Sequence, residues 1–144
     1  MKRTTIVFIN IFLAVFALTA QDQQQMVTDC ALSISGNTTY LKDFVIKLPE
    51  TTNQDNIPVH KENIYLMKKQ RYLFTQCNAD NSDGELTIEL YDANNLITSS
   101  INKRSGKVYS SVEFSCNKTG LYTMWYSFKD GKNGTGVGIV SLLK

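Results

Sequence analysis

Beyond about residue 40 the chain is built from short runs in which apolar and polar residues alternate, separated by turn residues. In LTIELY, Leu86, Ile88 and Leu90 fall on one face, and Thr87 and Glu89 on the other. Ser110 to Cys116 sets Val112, Phe114 and Cys116 opposite Ser111, Glu113 and Ser115. A period of two is what a half-buried strand requires, because successive side chains leave the backbone on opposite sides. Leu121 to Phe128 is apolar on nearly both faces, which fits a central strand. Val137 to Leu143 reads as another apolar strand. Arg71 to Cys77, Leu96 to Ile101 and Asn63 to Met67 are further strands, and Tyr40 to Leu48 is an eighth whose apolar spacing drifts. No helix-length stretch with apolar residues at 3.6 spacing is expected.

The connectors support this reading. NADNSDGE (78–85), DANN (92–95), NKRSGK (102–107), NKTG (117–120) and KDGKNGTG (129–136) are rich in Asn, Asp and Gly, which tolerate the positive φ of tight turns. Segment 49–62 holds both prolines and reads as a longer loop. Seven to eight short strands without an internal repeat predict an all-β fold, an antiparallel β-sandwich over residues 30–144.

The start of the chain has a different pattern. Lys2 and Arg3 precede an apolar run from Ile6 to Leu18, broken by Asn10, and then Thr19 and Ala20. This is the build of a secretory signal peptide, too short for an ordinary membrane span, with cleavage expected after Ala20. Residues 21–29 (QDQQQMVTD) read as a flexible polar leader. Loss of the signal changes the charge: 15 Lys and Arg fall to 13, against 13 Asp and Glu, so the mature chain is neutral. A neutral domain has no electrostatic footprint for nucleic acid, and the basic cluster Lys68, Lys69 and Arg71 reads as a solvated hairpin corner.

Export permits oxidation of Cys30, Cys77 and Cys116. A Cys77–Cys116 bridge is the leading expectation. It would close a loop of about 40 residues, worth about 3–4 kcal/mol in the chain-entropy model. Two buried reduced thiols, or a bridge using Cys30, stay open. A metal site is poorly supplied, with one histidine and no Cys-x-x-Cys pair.

Catalytic chemistry is sparse. His60 is the single histidine, in the proline-bearing loop, with no nucleophile elbow nearby. GTGVG (134–138) runs into a strand, whereas a phosphate loop precedes a helix. Asn78, Asp80 and Asp83 offer oxygen ligands for a calcium ion, although the loop departs from the EF-hand pattern and reads first as an Asp-Gly hairpin. Trp125, Tyr122 and Tyr126, with Tyr91 and Tyr109, suggest a stacking platform for a glycan. Aromatics on a sandwich also fill the core, and Trp125 is set apart by lying opposite Met124 and Phe128.

Four stretches, Tyr72-Leu-Phe-Thr, Gly84 to Asp92 (GELTIELYD), Phe114-Ser-Cys and Thr119-Gly-Leu-Tyr122, resemble the bacterial pre-peptidase C-terminal type of domain over roughly residues 60–143. The resemblance implies a jelly-roll-like sandwich that serves as a non-catalytic appendage of secreted enzymes. No enzyme domain accompanies it in this sequence, so the implied partner is another molecule. The chain also resembles small exported envelope proteins of the Bacteroidota, in which Gln directly after the cleavage site, here Gln21, is habitual. Together these readings give the expectation of a secreted or periplasmic, non-catalytic module that works through an envelope protein partner. The alternative is a carbohydrate-binding module centred on Trp125.

Overall fold

The computed structural model describes residues 20–144. The expected signal segment lies outside the described residues, apart from Ala20. Eight strands follow in chain order: β1 (Thr38–Leu48), β2 (His60–Leu66), β3 (Arg71–Asn78), β4 (Leu86–Asp92), β5 (Asn95–Ser99), β6 (Ser111–Ser115), β7 (Gly120–Phe128) and β8 (Gly134–Leu143). Every stretch read as a strand from its alternation forms one.

The strands pair β1 with β8, β2 with β7, β3 with β6 and β4 with β5, all antiparallel. These are the successive rungs of one long hairpin, running from the outermost strands to the middle. Rolled up so that rungs alternate between layers, and joined by β3–β8 and β4–β7, they give sheet A (β1-β8-β3-β6) and sheet B (β2-β7-β4-β5). That is the topology of a jelly roll. The roll brings the outermost strands together: Thr38 faces Leu143, and Lys144 N–H donates to Asn37 O at 3.0 Å.

The core follows from side-chain parity. Phe44, Ile46, Phe74 and Val140 from sheet A meet Leu66, Leu86, Ile88, Leu90, Met124, Tyr126 and Phe128 from sheet B. Each large apolar side chain so buried contributes about 1.5–3 kcal/mol relative to exposure.

Two layers are not the whole structure. Residues 20–33 are helical, so the flexible leader expected over 21–29 is corrected to a helix, α1. Its apolar positions recur at helical spacing: Val27 and Cys30 are buried, with Met26, Ala31 and Ile34 packed beside them. They cover Val137, Ile139, Val45 and Cys77, which point away from the inter-sheet core. Strand β8 is apolar on both faces, and its outward face would meet water without a third layer. The stripe escapes a sequence reading because it spans little more than two turns after a Gln-rich start. Among the described residues no helix is long and apolar enough to cross a membrane.

Packing is tight where β8 passes Tyr126. A Cβ on Gly138 would stand 2.6 Å from Tyr126 Cζ, so the ring of Tyr126, itself fully buried, fits only against glycine. Gly120, by contrast, has nothing within 4 Å of a built Cβ. Gly138→Ala should therefore destabilise by about 1–3 kcal/mol through overpacking. Gly120→Ala should stay within about 0.5 kcal/mol, the ordinary range for surface changes. Chemical denaturation of the two variants beside wild type separates them, and equal midpoints would refute the packing argument.

Candidate functional site

The outward faces of the two sheets differ. Helix α1 covers the outward face of sheet A along β1, β8 and β3, whereas the outward face of sheet B is open around Tyr65 and Leu121 and closed at Thr87, which is buried. Register sets that face out in rows. Tyr65 lies beside Leu121, Asn63 beside Thr123 and Tyr91, and Lys61 beside Trp125 and Glu89. Tyr91 is followed by Leu96 on β5.

Trp125 stands between two neighbours. The Tyr91 ring centroid is 4.5 Å from its own, tilted by 33°, and Lys61 Nζ lies 3.9 Å from its centroid. Tyr91 Oη donates to Glu89 Oε2 at 3.0 Å, and Glu89 Oε1 meets Lys103 Nζ at 3.3 Å. Partial burial, and then the Glu89 carboxylate, raise the Tyr91 pKa above its usual value. Thr123 Oγ1 donates to Asn63 Oδ1 at 3.0 Å. Beyond this polar and aromatic centre the face ends in apolar side chains open to water. Tyr65 is 65%, Leu121 61% and Met67 56% exposed, with Leu96 and Ile97 also exposed.

Of the five aromatics named for a stacking platform, Trp125 and Tyr91 are on this face, and Tyr109 lies in the connection before β6. Tyr122 and Tyr126 share the parity of Met124 and are buried between the sheets. Tyr122 Oη donates to Lys118 O at 2.8 Å, and Tyr126 Oη reaches Met124 Sδ at 3.6 Å. The partner of Trp125 is Tyr91, on the neighbouring strand β4. The spacing of β4 and β7 in the sequence gives no register, so this pair could not be read from sequence.

The expected Cys77–Cys116 bridge is corrected: Cys30 and Cys77 are bonded, with Cα atoms 5.8 Å apart, and Cys116 is free and buried. Parity and register both forbid the expected pair. Cys77 leaves sheet A outward, while Cys116 points into the inter-sheet core. In the β3–β6 register Arg71 pairs with Ser115 and Thr75 with Ser111, so the two cysteines lie toward opposite ends of that ladder. Cys116 Sγ donates to Lys118 O at 3.2 Å beside Tyr122.

Of the three calcium candidates, Asn78 and Asp80 line one groove. Asn78 Oδ1 accepts from Leu86 N–H at 2.8 Å and clasps its own loop. Asp80 shares that groove, of about 610 Å³ beside the disulfide, with Asp22 and Asp29 of α1, and Asp83 is exposed elsewhere in the loop. Among the described residues no group of three or more His, Cys, Asp or Glu is gathered to hold a metal ion. His60 opens β2, its Nε2 2.8 Å from Glu62 Oε1 and its ring 6.4 Å from that of Tyr126. No protein-family model matches the chain, and neither does any curated protein.

Two measurements follow. Without reductant, alkylation of the unfolded chain should modify Cys116 alone, and peptide mapping should recover a linked Cys30–Cys77 pair. A labelled Cys30 would refute the bridge. Burial pushes the Tyr122 phenol up to about 12 from 10.0, and Tyr126 is raised as well. The unfolded chain then loses these protons first, so stability should fall as pH rises above about 10. A denaturation midpoint constant from pH 9 to 11 would contradict this.

Proposed function

We propose that the chain is an exported, non-catalytic jelly-roll module that binds another protein in the cell envelope through the outward face of sheet B. The observation that carries this reading is the asymmetry between the two sheets. One has its apolar outward face roofed and covalently tied down. The other leaves Tyr65, Met67, Leu121 and Leu96 in water around a fixed aromatic centre. Exposed apolar side chains gathered on one face, with polar groups at their margin, are the anatomy of a contact surface. Export is supported by the leader pattern and by the disulfide, which suits an oxidising compartment. The resemblance to appended sandwich domains of secreted enzymes points the same way.

A glycan-binding reading draws on the Trp125–Tyr91 pair. It is the second choice because the flanks of the Trp125 ring are taken by Tyr91 and Lys61, and a stacked sugar would have to displace the lysine. Trp125 is the single tryptophan, so its fluorescence reports the site directly.

Leu121→Asp and Tyr65→Asp should leave the fold intact, since both side chains are exposed, and should reduce capture of an envelope partner at least tenfold. Leu32→Asp, on the exposed side of α1, should leave capture unchanged. Partner capture insensitive to Leu121→Asp would remove the sheet B assignment. Saturable quenching of Trp125 by a neutral glycan would favour the second reading.

A further inference from the structure

The sheet B face has a sign as well as a texture, and the sign identifies its partner. Lys61 stands on the face and Lys103 reaches it through Glu89, while Lys68 and Lys69 lie in the turn between β2 and β3, where Lys68 N–H donates to Thr119 Oγ1, and Lys118 precedes β7 at the same end of the sheet. The acidic groups among them are Glu89, already engaged by Tyr91 and Lys103, and Asp92, held by Lys118 at 2.8 Å. Lys61, Lys68 and Lys69 form no salt bridge among the described residues. In a mature chain of zero formal charge this excess has a counterpart across the molecule: Asp22, Asp29 and Asp80 line the groove beside the disulfide. Basic groups therefore gather at the bare face and carboxylates at the groove beside α1, where Lys47, opposite Thr135, is a neighbouring cation.

We infer that the partner of this face is a protein segment that presents aromatic or aliphatic anchors flanked by Asp and Glu. The inference rests on the contact-face reading above and adds its chemistry. The anchors would lie on the exposed pair Tyr65 and Leu121, with Met67 in the turn just past β2, where burial of apolar surface supplies affinity. The carboxylates would meet Lys61, Lys68 and Lys69, which steer the encounter and select the partner. A second copy is a poor occupant, because a symmetric dimer sets this patch against itself and so brings like charge to like charge. A glycan finds no polar partner on Leu121, Met67, Leu96 or Ile97.

The test selects a displayed library of random peptides on the immobilised full chain and titrates the enriched peptides in solution. The expected peptides combine acidic residues with aromatic or aliphatic ones. Their affinity should fall about tenfold or more in Leu121→Asp and again in Lys61→Glu/Lys68→Glu, and it should weaken as salt rises. Enriched peptides that need Leu121 but are neutral or basic, or that ignore Lys61→Glu/Lys68→Glu, would overturn the acidic partner and leave the contact face standing. Peptides that ignore Leu121→Asp would overturn both, and no enrichment would overturn the inference. Three further probes decide the occupant: polygalacturonate, phosphatidylglycerol vesicles, and the chain itself in sedimentation. Tighter binding of either anion source, or a dimer broken by Leu121→Asp, would assign the face elsewhere and sink the proposal.

Discussion

The structure turns on β8, a strand with buried side chains on both sides. Val140 points into the inter-sheet core, while Val137 and Ile139 point the other way. In water that second face would cost apolar exposure along the centre of sheet A, between β1 and β3. Helix α1 removes the cost, and the Cys30–Cys77 bond fixes it there. In the chain-entropy model a link across a sequence separation of 47 residues is worth about 4 kcal/mol. Once one outer face is roofed, the opposite face of sheet B is left as the open one, and the contrast on which the functional reading rests is set.

Most of the sandwich was legible because strand alternation is a local property. LTIELY and the Ser110–Cys116 stretch announce their faces without reference to any neighbour, and β7 places Trp125 opposite Met124 by parity alone. What was illegible depends on register and on layers. Cys116 has the apolar parity of Val112 and Phe114, and Cys77 shares a face with Leu73 and Thr75, but nothing in the sequence says that those faces lie on opposite sides of sheet A. The Tyr91–Trp125 pair depends on the β4–β7 register in the same way. The short stripe of Met26, Val27, Cys30, Ala31 and Ile34 becomes decisive only when the outward face of β8 is seen to need a cover.

The aromatic residues divide by the same logic. Tyr122 and Tyr126 serve the interior, where the hydroxyl of each finds an acceptor and where Gly138 makes room for one ring. Trp125 and Tyr91 serve the surface and are steadied by Lys61 and by the Glu89–Lys103 pair. A face whose large side chains are already held in place loses little conformational freedom when it docks, which favours binding without rearrangement.

The placement of the disulfide also decides how the domain would bear tension. With the bond open, a pull on the two ends reaches Thr38 and Leu143, which face each other at one end of the β1–β8 ladder, and the rungs open singly, in succession. With the bond closed, the load crosses from Cys30 to Cys77 and meets β8 through β3. There Cys77 pairs with Val137 and Arg71 with Leu143, so the two points of traction sit at opposite ends of the ladder. Those rungs are sheared together instead of being unzipped, and a single covalent link turns a weak mechanical joint into a strong one.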